Sequence, residues 1–292
     1  MTRLPFLQLD VFADRPGAGN GLAVIVDGQR FDTATMQAIA NWTNLSETTF
    51  VLPPTAPQAS YRVRIFTPKS ELPFAGHPSI GTAHAVLESG WAQPIGGQLL
   101  QECSAGLLPI KIHGEGATRT ISVRAPRARE LELPADSAPL LEQALANCRL
   151  GGVPPALVSN GPTWWCVQLA DEASVRAMEP RLSELAVLTR ATGAVGLAVF
   201  ARGDGDDPML VVRAFCPSDG IPEDPVTGSA NAAIAAHLLR SGGLGGLGRR
   251  YAVSQGREVG RDGRIEIEID SDDEVWVGGR TQTVITGTLE WG

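Results

Sequence analysis

Cysteine is scarce in this 292-residue chain: Cys103, Cys148, Cys166 and Cys216 stand far apart, with no C-x-x-C pair among them. That spacing excludes a thiolate zinc site and a disulfide framework, and leaves free buried thiols of a reducing cytosol as the reading. Positive charge is short as well. Twenty-four Lys and Arg against 32 Asp and Glu give a net charge of −8, which argues against nucleic acid as a partner. No run of about 18 apolar residues occurs, so no membrane-spanning helix is expected. The opening Met1-Thr2-Arg3-Leu4-Pro5-Phe6 lacks the apolar stretch of a signal peptide, and a cytoplasmic location is the expectation. A phosphate-binding lysine loop and a G-x-S-x-G elbow are both missing. Gly243 to Gly248 fits G-x-G-x-x-G, but it follows a helix and opens none, so it reads as a flexible loop. His77, His84, His113 and His237 lack metal-ligand spacing, so no metal is expected.

What is present points to a β-rich chain of about two domains. Hydrophobic residues make up 43%, enough for a core, and 33 Gly with 21 Pro supply many turns between short strands. One stretch organises the rest: Gly220-Ile221-Pro222-Glu223-Asp224-Pro225-Val226-Thr227-Gly228-Ser229-Ala230-Asn231, followed by an Ala-rich run to His237-Leu238-Leu239. Asp before Pro reads as a helix start, and the helix beyond it is apolar all round, hence buried. The N–H groups of such a first turn suit a carboxylate or other anion.

The phrase occurs twice. Phe74 to Ala85 aligns with it at an offset of 147 residues, which sets His77 on Asp224, Pro78 on Pro225 and Gly81 on Gly228. Val63-Arg64-Ile65-Phe66-Thr67-Pro68 likewise matches Val212-Arg213-Ala214-Phe215-Cys216-Pro217. A repeat of half the chain is a duplicated domain and not a solenoid period. The predicted fold is therefore α+β: two similar halves, each a mostly antiparallel, barrel-like sheet wrapped on one central helix. The halves are residues 1–125 and 126–292, with the final strand free to return to the first half. Strands are expected at Phe6–Phe12, Leu22–Val26, Thr48–Leu52 and Tyr61–Phe66 in the first half. Buried helices are expected from about Pro78 to Ser89 and onward from Asp224-Pro225.

Two equivalent polar helix starts would tend to face a shared ligand. Asp224 alone is explained by capping; His77 is not, because His is a poor cap. Glu47, after Ser46 and before a β-branched run, is a strand-end residue or, if placed beside a buried cleft, a general base. Ser229 is a first-turn hydroxyl whose plainest role is a local backbone bond.

Taken together, several segments resemble the phenazine-biosynthesis isomerase family, the PhzF-like proteins. They are Leu9-Asp10-Val11-Phe12 with Gly19-Asn20, Leu45 to Phe50, Phe66-Thr67-Pro68, Glu71 to Pro78, Gly220 to Ala230, Ser254-Gln255-Gly256 with Gly260-Arg261, and Val277-Gly278-Gly279. The resemblance implies the diaminopimelate-epimerase-like fold and isomerisation by proton transfer without a cofactor. It implies Glu47 as the acid/base, with His77, Asp224 and Ser229 completing the catalytic set. Asn20, Gly76, Ser79 and Gly228 would bind the substrate, the backbone N–H groups near Gly76 and Gly228 holding its carboxylate. It also implies a possible homodimer. Two departures stand out: the paired cysteines of related racemases are replaced by His77 and Asp224, and Gly21 stands where the family often has Pro. An amino-acid racemase or epimerase and a non-catalytic small-carboxylate binding protein are the alternative readings.

Overall fold

In the computed structural model, residues 2–205 and 209–292 are described. They form two compact units: Met1–Arg124 with Gly278–Gly292, and Ala125–Val277.

In the first unit, β1 (Thr2–Val11) and β2 (Asn20–Ile25) pair antiparallel. Helix α1 (Thr33–Thr43) then crosses over, so that β3 (Glu47–Leu52) runs parallel to β2. Asp32 caps α1 by accepting from the Thr35 N–H at 2.8 Å, and Asn44 ends it in the left-handed region. β4 (Tyr61–Phe66) is antiparallel to β3, and the short β5 (Glu71–Leu72) folds back on β4. Helix α2 (Gly76–Glu88) leads to β6 (Gln98–Cys103), parallel to β4. β7 (Gly106–His113) and β8 (Thr120–Arg124) complete an antiparallel run. Helix α2 is in contact with β1, β2, β3, β4 and β8. A single helix touches strands from both ends of the run only if the sheet curls around it.

The second unit opens with β9 (Arg129–Leu131), α3 (Ser137–Ala144) and the hairpin β10 (Ala156–Ser159) and β11 (Thr163–Gln168). After α4 (Glu172–Arg176) and α5 (Leu182–Thr192), β12 (Gly196–Arg202) lies parallel to β11. β13 (Met209–Cys216) is antiparallel to β12, and β14 (Ile221–Asp224) folds back on it. Helix α6 (Gly228–Ser241) leads to β15 (Arg250–Gln255), parallel to β13, and to β16 (Gly263–Ile269). The boundary of the unit falls within β17 (Val275–Gly279). β18 (Thr281–Trp291) belongs to the first unit and pairs antiparallel with β1 along its whole length.

Both units thus run through the same series of pairings: antiparallel, parallel, antiparallel, parallel, antiparallel. One local device also recurs. Arg64 stacks over Phe66 and pairs with Glu71 at 2.6 Å; Arg213 stacks over Phe215 and pairs with Glu223 at 2.8 Å. Each sheet carries an outer apolar layer as well. In the first unit Met36 and Ile39 of α1 cover Ile25, Phe50 and Phe66; in the second, Leu185 and Leu188 of α5 cover Trp165, Val167 and Val199.

The helix starts differ from the expectation. Helix α2 begins at Gly76, two residues before Pro78, which is tolerated in a first turn because its missing N–H has no intrahelical partner there. Helix α6 begins at Gly228, four residues after Asp224, because Asp224 is held extended opposite Ala214 of β13. Each helix starts four residues after its short return strand ends, so by helix position His77 matches Ser229 and not Asp224. Gly21 sits within β2 opposite Asp10, and the strand keeps its register there without Pro.

Candidate functional site

The first cluster is built on β2, β3 and α2. Residues directly opposite in paired strands share a face, and Leu22 lies opposite both Leu9 and Glu47 while Asn20 lies opposite Val11. That face looks at α2: a Cβ added to Gly81 would come within 2.5 Å of Leu22 Cδ2 and 2.8 Å of Val11 Cγ2. Glycine at 81 lets helix and sheet approach closely. Asn20 and Glu47 are therefore on the inner face, near the start of α2. Glu47 Oε2 lies 3.1 Å from His77 Nε2, with side-chain exposures of 15% and 9%. A carboxylate beside an imidazole in a largely dry place is a candidate acid/base pair.

Gly76 and Ser79 are the other two residues expected here. Gly76 is the first residue of α2, whose N-cap is Ala75, a residue with no polar side chain to close the first-turn N–H groups. Ser79, expected to bind substrate, does not fit that role. Its hydroxyl donates to Ala75 O at 2.8 Å and accepts from Gln101 Nε2 at 2.9 Å, its N–H bonds Ala75 O, and it is fully buried. Tyr61 OH in turn donates to Gln101 Oε1 at 3.0 Å. This chain of buried side chains fastens β4, β6 and the start of α2 together.

The second cluster surrounds the start of α6. Asp224, the last residue of β14, accepts through Oδ2 from Thr227 Oγ1 at 2.5 Å. Gln255, fully buried at the end of β15, organises the loop. Its Oε1 accepts from the Thr227 N–H at 3.1 Å and from Asn231 Nδ2 at 2.9 Å. Its Nε2 donates to Asp224 O at 3.1 Å and to Thr227 Oγ1 at 2.9 Å. With that lone pair occupied, the Thr227 proton points at Asp224 and fixes Asp224 Oδ2 as an acceptor. Thr227 is the N-cap of α6 but makes no side-chain cap bond, so the first turn containing Gly228 and Ser229 is not closed by its own cap. Ser229 is half-buried, and Trp164 Nε1 and Asn160 Nδ2 reach its hydroxyl and carbonyl.

Sequence reasoning did not find Gln101, Gln255, Thr227, Asn160 or Trp164. Gln255 stood in a quoted segment and Thr227 in the central motif, but a buried amide has no local signal; only the strand that carries it beneath a helix start gives it a role. Cys166 and Cys216 are buried, and burial pushes both well above the usual thiol range; Cys103 and Cys148 are only half-buried. No cluster of three or more His, Cys, Asp or Glu side chains suited to a metal occurs among the described residues. Among them, too, no helix is long and apolar enough to cross a membrane.

In the first unit the sheet curls around a buried helix. Solved structures share the fold. The Bacillus anthracis phenazine biosynthesis protein of the PhzF family superposes with a TM-score of 0.84 at 24% identity, over all of both chains. A hydroxyproline epimerase from Agrobacterium vitis superposes with a TM-score of 0.65 at 15% identity, over 98% of this chain and 92% of that one. The family model for phenazine biosynthesis-like proteins, PhzC-PhzF, matches residues 9–287, and the chain belongs to that family. Antisense-enhancing sequence 1 of Schizosaccharomyces pombe is 36% identical over 98% of this chain and 99% of its own. The trans-2,3-dihydro-3-hydroxyanthranilate isomerase of Pseudomonas chlororaphis is 32% identical over 97% and 98%. The chain is thus an enzyme of the isomerase class, as the resemblance implied.

Proposed function

We propose that this isomerase acts on a small carboxylate, cyclic or amino-bearing, by moving one proton between two carbons without a cofactor. Glu47 removes the proton from the first carbon. The electron pair left behind delocalises toward the substrate carboxylate, whose growing charge is met by first-turn N–H groups at Gly76 and Gly228. Glu47, now a carboxylic acid, returns the proton to a second carbon, and the double bond shifts by the same step. His77 holds the carboxyl group in place and stabilises its ionised form between turnovers. Asp224 and Ser229 orient the substrate's polar groups, and Asn20 flanks Glu47 on the inner face.

The observation that carries the reading is the 3.1 Å approach of Glu47 to His77 on a buried face beside a helix start. The curated relative that isomerises trans-2,3-dihydro-3-hydroxyanthranilate makes that compound the first to test. In deuterated buffer the wild-type protein is expected to convert it with uptake of deuterium at one carbon. Glu47→Gln, which keeps shape and removes basicity, is expected to lower uptake by at least about a thousandfold, at the upper end of what general acid/base catalysis supplies. Uptake retained in Glu47→Gln removes Glu47 from the role. Exchange confined to Cα of an amino acid, with change of optical rotation, would instead make the protein an epimerase.

A further inference from the structure

Ser229 is the second residue of α6, and its surroundings dictate the direction in which its hydroxyl can act. Trp164 Nε1 reaches Ser229 Oγ at 3.1 Å. An indole N–H donates only, so Ser229 Oγ is the acceptor in that bond. Asn160 Nδ2 donates to the Ser229 carbonyl at 2.8 Å and fixes the backbone at the same point. The Ser229 hydroxyl proton has no acceptor among the described residues, and the side chain is half-buried and not sealed in. Ser79, the serine in the first turn of α2, shows the contrast: it spends its proton on Ala75 O. Trp164 is also rigidly seated. It is buried, and a Cβ at Gly196 on the neighbouring strand would come within 2.5 Å of its Cζ3, so glycine there makes room for the ring.

We propose that Trp164 is a positioning residue for the isomerase. By donating to Ser229 Oγ, it takes up one of that oxygen's two lone pairs and turns the hydroxyl proton away from the indole, where it can be donated to a ligand. The start of α6 then favours a ligand that offers an anionic oxygen, a carboxylate, to that proton. The inference rests on the reading that Ser229 meets the substrate; it does not depend on Glu47 being the base.

The test is a double-mutant cycle read by binding. The probe is 3-hydroxyanthranilate, a stable aromatic carboxylate close to the compound tested above, titrated calorimetrically into wild type, Trp164→Phe, Ser229→Ala and the double variant. Ser229→Ala is expected to weaken binding about tenfold, and Trp164→Phe about three- to tenfold, as for loss of a hydrogen bond to a charged group. Because Trp164 acts through Ser229, the double variant should bind no more weakly than Ser229→Ala alone. Additive losses, wild-type affinity in Trp164→Phe, or no binding to the wild-type protein would each overturn the proposal. Since binding and not turnover is read, failure of Glu47 as the base leaves these outcomes unchanged. Should Trp164→Phe not fold, the six tryptophans supply a second readout. With 15N-labelled tryptophan, Ser229→Ala should shift one indole N–H resonance strongly, and a spectrum in which none of the six moves counts against the idea.

Discussion

Single residues here are governed by what burial does to polar atoms. His84, inside α2, shows this for charge. Burial depresses its pKa to about 4; nearby Glu88 pulls it upward less strongly, and Arg119 adds to the depression. Its Nε2 lies 2.9 Å from Thr283 Oγ1 of β18. The folded protein therefore holds His84 neutral at pH values where the unfolded chain would protonate it. Between about pH 6.5 and 4 the unfolded state binds more protons, so stability falls as pH is lowered through that window and levels off below it. The loss attributable to His84 amounts to up to about 3 kcal/mol. Urea unfolding of wild type and His84→Gln between pH 4 and 7 should show a flatter profile for the variant over that range; parallel profiles would rule His84 out as the source. The sequence already placed His84 inside an apolar helix. Its partner on a strand almost 200 residues further on was beyond reach.

At the scale of elements, the starts of α2 and α6 are held by glutamines from the next strand in the sheet, and not by caps of their own. Gln255 satisfies the Thr227 N–H and the Asn231 amide while donating to Thr227 Oγ1 and Asp224 O. Replacing it with Met, similar in volume and unable to hydrogen-bond, strands several buried polar atoms. The expected cost is about 3 kcal/mol or more, read as a lower urea midpoint, with Gln255→Glu no better because it cannot donate. A midpoint within error of wild type would show that the loop finds other partners. Most elements were legible from the sequence: the strands expected at Leu22 to Val26, Thr48 to Leu52 and Tyr61 to Phe66 all stand where local chemistry put them. The return strands β5 and β14 were not, because two to four residues between Pro and Gly carry no periodicity. Nor was β15, which follows the glycine-rich segment Gly242 to Gly248 and owes its strand state to pairing with β13 and β16.

For the whole molecule, the chain's last segment completes its first unit. β18 pairs with β1 from Thr2 opposite Trp291 to Val11 opposite Thr281, and Leu289 joins the apolar layer of Leu4, Ile25 and Phe50. A chain ending at Val277 would leave β1 with an unpaired edge and expose that layer. It should lose about 3 kcal/mol or more from apolar burial alone and show a depressed thermal midpoint, with aggregation through the exposed edge. An unchanged midpoint would mean that β18 is dispensable to the fold.

The sequence by itself determined the class of fold, the two buried helices and the polar residues at their starts, because these follow from local patterns: apolar periodicity, glycine and proline punctuation, and a phrase that occurs twice. Tertiary structure alone decided which polar atoms remain available. Ser79 and Ser229 are alike as letters near a helix start, yet one is consumed by Gln101 and Ala75 while the other keeps its proton. The same holds for the offset between the two helix starts. A strand partner, Ala214, holds Asp224 extended and delays α6 until Gly228. Hydrogen-bond partners are set by distance in space and by burial, and neither is encoded in the spacing of residues along the chain.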